Sequence, residues 1–315
     1  MSTSGGSRAI VAALLANVGI AITKLIAFAL TSSSSMLAES IHSLADSCNQ
    51  LLLLVGGRRS KRQDDEQHPF GYARERYIYA FIVAIVLFSV GGLFALYEGY
   101  HKIREPHPID SWQWVPVAVL VAAIAMEGFS FRTAIQESNH IRGSASWADF
   151  IRRAKAPELP VVLLEDFAAL LGLAFALIGV TLTLVTNDGV WDGVGTVAIG
   201  LLLVSVAVVL ATETRSLLVG EGAASDQVEA IKAALLAEPD VERVIHMRTL
   251  HLGPDELLVA AKITVGHDQT AASIARAING AEARVRAAVP IARRIYLEPD
   301  IYDAQPADTP PPIIA

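Results

Sequence analysis

Six long apolar runs, all before about residue 215, constrain this chain more than any other feature. The hydrocarbon core of a bilayer is about 30 Å thick and takes about 20 helical residues to cross. Runs of that length fall at about 9–31, 35–57, 77–99, 113–133, 159–184 and 191–213, the third and sixth nearly uninterrupted. A spanning segment must satisfy its own backbone, so runs of this kind imply helices. The expected architecture is a polytopic α-helical membrane domain with six transmembrane helices. The remainder is polar, so the 53% hydrophobic content of the 315 residues averages two unlike parts.

Basic residues set the expected orientation. The connection after the second run holds Arg58, Arg59, Lys61, Arg62, Arg74 and Arg76, and that after the fourth holds Arg142, Arg152, Arg153 and Lys155. The connections on the other side hold only Lys102 and Arg104. By the positive-inside bias, both termini are cytoplasmic. No A-x-A-like cleavage site follows the first run, and no transit peptide is evident, so an integral protein of the bacterial plasma (inner) membrane is expected. A net charge of −7 gives no reason to expect a nucleic-acid partner. A single Cys excludes a disulfide framework and a multi-thiolate metal site.

After Arg215 the pattern changes. Residues 225–237 and 271–288 have apolar residues at helical spacing. Val241–Leu252, Glu256–Val265 and Ala292–Glu298 read as strands, the first two flanking the turn Gly253-Pro254-Asp255. This predicts a small cytoplasmic α+β (ferredoxin-like) domain, whose two-layer build suits dimerisation. The expected division is a cation-transport domain over 1–215, a dimerisation or regulatory domain over 216–300, and a disordered Pro-rich tail over 301–315.

The chemistry concentrates in the second and fifth runs. In Ala38-Glu39-Ser40-Ile41-His42-Ser43-Leu44-Ala45-Asp46, His42 and Asp46 lie four residues apart, on one helix face about 40° apart. An imidazole and a carboxylate so placed can grip one cation, and nitrogen-plus-oxygen ligation suits Zn²⁺, Mn²⁺, Fe²⁺ or Co²⁺ better than Ca²⁺. The bland alternative is hydrogen bonding between helices. Glu39 and Asn49 extend the stripe as pathway residues, with Glu39 equally readable as hydrated surface near the outer end. The fifth run carries Glu165 and Asp166. Neighbours on a helix diverge by about 100°, so at least one lines the cavity. Ionisable groups at such depth are expensive and point to function.

Other positions are weaker. Asp65 and His68 in the first basic loop are a candidate entry site, and His246 and Glu298 a candidate peripheral site in the C-terminal domain. His246 and His251 are expected on opposite strand faces, and His267 in a turn. Lys24 reads as snorkelling, Glu127 as solvated or paired with Arg132, and Cys48 as packing. Neither a nucleotide-binding G-x-x-x-x-G-K-[ST] nor a zincin H-E-x-x-H is present, so an enzyme is not expected and an ion gradient supplies the energy. Rival readings are a proton-coupled exporter of small organic cations, an intramembrane metallohydrolase and a membrane-anchored scaffold.

Taken in order, the six runs, His42-x-x-x-Asp46, the acidic fifth run, Asp65-x-x-His68-Pro69-Phe70-Gly71 and the ending Ile295-Tyr296-Leu297-Glu298-Pro299 resemble the cation diffusion facilitator family over about residues 9–299. The resemblance implies a homodimer that exports zinc or a related divalent cation in exchange for protons. It makes His42 and Asp46 the ligands of the second helix and Asp166 a ligand of the fifth. Val162 stands where the family commonly has His, and Glu165 is the substitute. The Leu-Glu-Asp arrangement resembles the branch that includes the ninth zinc transporter of animals. Tyr72 and Tyr296 stand where further histidines are expected, so the loop and C-terminal metal sites are incomplete by the family pattern.

Overall fold

The computed structural model describes residues 3–302 apart from 267, with side chains from residue 17 onward. The Pro-rich tail beyond residue 302 and the turn position of His267 lie outside the described residues. The chain divides into two compact units, Met1–Leu218 and Val219–Ala315.

The first unit is all helix: α1 Thr3–Thr31, α2 Ser34–Arg59, α3 Glu75–Val86, a π-helical segment Leu87–Leu93, α4 Phe94–Arg104, α5 Trp114–Arg142, α6 Trp147–Arg153, α7 Glu158–Thr186 and α8 Val190–Val219. With α3, the π segment and α4 taken as one rod, six long helices stand where the six apolar runs are. Four of them, Glu75–Arg104, α5, α7 and α8, are long and apolar enough to cross a membrane, and in α1 the described apolar stretch is Asn17–Thr31. Helix α2 falls short because of its own polar residues. These are not on its outside. Glu39, Ser40, His42, Ser43, Ser47 and Asn49 are buried, while Leu44, Leu51 and Val55 are exposed. Cys48 lies on that outer side too, so it does not pack in the core as expected.

Close approach of backbones fixes the other rods. A Cβ on Gly99 would lie 2.7 Å from the Val197 nitrogen, and one on Gly200 2.8 Å from the Leu96 nitrogen, so α4 and α8 meet without room for side chains. The short helix α6 was not expected. Its Phe150 packs with Ala134 and Leu163.

At one end of the bundle a single carboxylate organises three helices. Asp192, fully buried near the start of α8, accepts from Ser33 Oγ (2.9 Å), Ser34 N (2.7 Å) and Ser35 N (3.2 Å). The first-turn N–H groups of α2 have no partner within their own helix, and a negative charge there also suits the helix dipole. Thr183 Oγ1 of α7 in turn accepts from Asp192 N at 2.9 Å.

The second unit runs α9 Ser225–Leu236, β1 Val241–Gly253, β2 Glu256–Val265, α10 Ala271–Ala288 and β3 Ala292–Asp300. Order and type match the sequence expectation. The sheet order is β1-β2-β3, with β1 antiparallel and β3 parallel to β2. Alternation along β2 sends Leu257, Val259, Ala261 and Ile263 to one face, where they share a core with Ile231 and Leu235 of α9 and Ala281 and Val285 of α10. This is a two-layer α+β unit.

Replacing Asp192 by Ala orphans three buried donors. It is expected to destabilise the protein by about 3 kcal/mol, read as a lowered thermal midpoint in detergent.

Candidate metal-transport site

The inward polar face of α2 is the centre of the candidate site. His42 Nδ1 lies 3.5 Å from Asp46 Oδ1. The helix therefore places the two side chains together, as their spacing requires. Among the described residues, neither ring nitrogen of His42 has a hydrogen-bond partner, nor does Asp46 Oδ1. His42 is 1% exposed, so water does not compensate. Buried polar atoms are almost always paired, and each exception needs an explanation.

Helix α7 brings its adjacent acids to different neighbours. Glu165 is buried and accepts from Asn49 Nδ2 of α2 at 2.7 Å. Asp166 is half-buried and accepts from Ser130 Oγ of α5 at 2.9 Å. The divergence of successive helical residues accounts for the split. Among the described residues, no group of three or more His, Cys, Asp or Glu side chains stands close enough to hold one metal ion. The expected four-residue cluster is not assembled: His42 and Asp46 form a pair on α2, and the two α7 acids are bonded separately to Asn49 and Ser130. The charges of Asp46, Glu165 and Asp166 nevertheless act on one another.

Three polar residues are placed otherwise than expected. Lys24 does not snorkel. It is 1% exposed, and its Nζ donates to Glu39 Oε2 and Ser43 Oγ, both at 2.8 Å. Glu39 is fully buried and is neither hydrated nor at a surface. Helices α1 and α2 form an antiparallel hairpin, which brings Lys24, eight residues before Ser32, beside Glu39, six after Ser33. Glu127 of α5 is half-buried, and its charge interacts with those of Asp46 and Asp166. It precedes Ser130 by three residues and so shares its helix face.

The loop pair is brought together outside the helical bundle. His68 Nδ1 lies 3.2 Å from Asp65 Oδ1, and Tyr72 Oη donates to Asp65 Oδ2 at 2.5 Å. The Tyr72 hydroxyl also lies 2.8 Å from His68 Nδ1, and the Arg62 guanidinium sits 4.3 Å from the Tyr72 ring centroid. The hydrogen bond from Tyr72, followed by that from the His68 backbone, lowers the Asp65 carboxyl to about 2. The loop closes on itself through Tyr72.

In the second unit, His246, Lys262 and Glu298 lie side by side across the three strands. His246 is exposed and His251 buried, on opposite faces as expected. Between the two candidate ligands stands a cation: Lys262 Nζ lies 2.8 Å from Asp300 Oδ2 and 3.4 Å from Glu298 Oε1. Asp300 raises the lysine and Lys262 lowers Asp300, so both stay charged. The strand between separates His246 from Glu298 by two strand spacings, about 9.6 Å. That spacing and the lysine are why the expected peripheral pair does not come together.

Long apolar helices around buried acids and an imidazole are the build of an integral membrane protein. The model of the cation efflux transmembrane domain matches residues 10–219, and the chain belongs to the cation efflux family. This is a transporter family, as the motifs suggested. The chain is 31% identical over 266 residues to the mitochondrial proton-coupled zinc antiporter SLC30A9 of Xenopus laevis, covering 84% of this chain and 47% of that protein. It is 30% identical to the Homo sapiens protein of the same name, covering 82% of this chain and 46% of that one. The chain therefore spans about half the length of these relatives. It is also 24% identical to the zinc transporter ZitB of Pectobacterium atrosepticum, covering 85% of this chain and 79% of the relative.

Two outcomes are expected of the loop. Because its carboxyl is held low, Asp65 keeps its contacts above the ordinary carboxylate range and loses them as pH falls through about 2. Tyr72→Phe removes the largest cause, so the Asp65 carboxyl rises toward 3.8 in a ¹³C NMR titration of the full chain.

Proposed function

We propose that this protein exports divalent transition-metal cations, zinc first, across a membrane in exchange for protons. The observation that carries the reading is the pair of buried His42 and half-buried Asp46, whose facing atoms are buried and have no hydrogen-bond partners among the described residues. Glu165 and Asp166 complete the donor set when Asn49 and Ser130 release them. One imidazole and three carboxylates accept zinc, and also manganese, cobalt or ferrous iron. The names of the relatives, proton-coupled zinc antiporter and zinc transporter, support zinc as cargo.

Metal and protons compete for these groups, because ligands must be deprotonated to bind. Metal arriving from one side releases protons, and protonation from the other side releases metal. All six long helices cross the bilayer in this reading. Helix α2 is compatible with that because Leu44, Leu51 and Val55 face outward while Glu39, His42 and Asn49 are buried inside. Both termini are cytoplasmic, the α+β unit pairs two copies of the chain, and the membrane is a bacterial plasma membrane. The protein is a carrier and not an enzyme, and its loop and C-terminal candidates are not needed for transport.

The test is zinc flux in proteoliposomes holding the full chain and a zinc-responsive dye under an imposed pH gradient. Gradient-driven flux is expected, falling at least about tenfold in His42→Ala and in Asp46→Ala because each removes a ligand. Folded protein that moves none of zinc, manganese, cobalt or ferrous iron would sink the reading and favour an organic-cation exporter.

A further inference from the structure

Lys24 and Glu39 form an ion pair inside the helical bundle, with side chains 1% and 0% exposed. Such a pair is a poor device for stability alone, since apolar side chains of similar volume usually serve as well or better. Its position is specific. Glu39 precedes His42 by three residues, about 4.5 Å along α2 toward the Ser34 end. Ser43, the second partner of the ammonium, directly follows His42. The lysine charge acts on His42 and Asp46 as well as on Glu39.

Glu39 is also only half used. Its Oε2 receives Lys24, while its Oε1 is buried and has no hydrogen-bond partner among the described residues. That oxygen faces α7 at Gly172, where a Cβ would stand 2.9 Å from it. Glycine at this position leaves the carboxylate the space it occupies. The result is a carboxylate with one oxygen on an ammonium and the other open, one turn of helix from the imidazole.

From this geometry we infer that Glu39 is a second cation position on the transport route and that Lys24 is its tethered occupant. The ammonium fills the position until a divalent cation leaving His42 and Asp46 displaces it, and it returns when the cation departs. The route toward the Ser34 end of α2 is thereby never left with a vacant buried carboxylate. This inference rests on the transport reading above.

The experiment compares the full chain with K24M/E39Q and with K24M, measuring zinc binding by equilibrium dialysis and zinc flux in proteoliposomes. The double substitution leaves no buried charge unpaired, so it tests the idea without forcing the fold. It is expected to cut flux at least tenfold while zinc affinity changes less than threefold. K24M, with Glu39 freed, is expected to bind one additional zinc per chain. Should K24M fail to fold, the double variant decides alone. Flux within twofold of the unsubstituted protein in K24M/E39Q would reduce the pair to a structural staple and overturn the inference. Absence of zinc binding and flux in the unsubstituted protein would instead overturn the transport reading.

Discussion

The structure depends on one constraint: a helix that carries polar and ionisable side chains into a bundle of apolar rods must turn them toward other protein. Water is not there to solvate them, and lipid cannot. Helix α2 meets the constraint by being inside-out relative to a soluble amphipathic helix. Three of its neighbours bond to that face. Helix α1 supplies an ammonium to Glu39, α7 supplies a carboxylate to Asn49, and α8 supplies a carboxylate to the first turn.

These contacts differ in completeness, and the difference separates scaffold from site. Around Asp192 both carboxylate oxygens have partners from α2. Around His42 and Asp46 donor and acceptor atoms are buried and unspent. A bundle that can bond its buried groups fully at one end has no physical need to leave them bare in the middle. In the transport reading proposed above, such bare groups suit a passing cation, which has no partner to displace from them, in contrast to Glu165 and Asp166.

Much of this was legible in the residues. The apolar runs located the helices, since twenty-residue stretches admit few alternatives. In the α+β unit, the alternation in Glu256–Val265 and the Gly253-Pro254-Asp255 turn located the hairpin to within one residue, Gly253 belonging to β1. His42 and Asp46 were recoverable because helical periodicity is local. What periodicity does not carry is the rotation of one helix against another. Lys24 read as a snorkelling residue because its partner lies on the next helix, and Glu127 as solvated because its neighbours are on α2 and α7. The divergence of Glu165 and Asp166 was anticipated, but which acid faces α2 was not, since that depends on Asn49 lying opposite. Lys262 escaped notice for the same reason: it meets Glu298 only through strand pairing.

The Asp192 junction has a mechanical consequence. By gripping three consecutive residues at the head of α2 while its own amide is held by α7, it welds the ends of three rods into one block. Helix α8 is further clamped along its length to α4 by glycine contacts that leave no slack. Lever arms fixed at one end swing most at the other. The ends of α2 and α7 that flank the basic loops lie outside that block, with α7 held there by the Arg76–Glu158 ion pair, so the bundle opens more readily there than at the serine-rich turn.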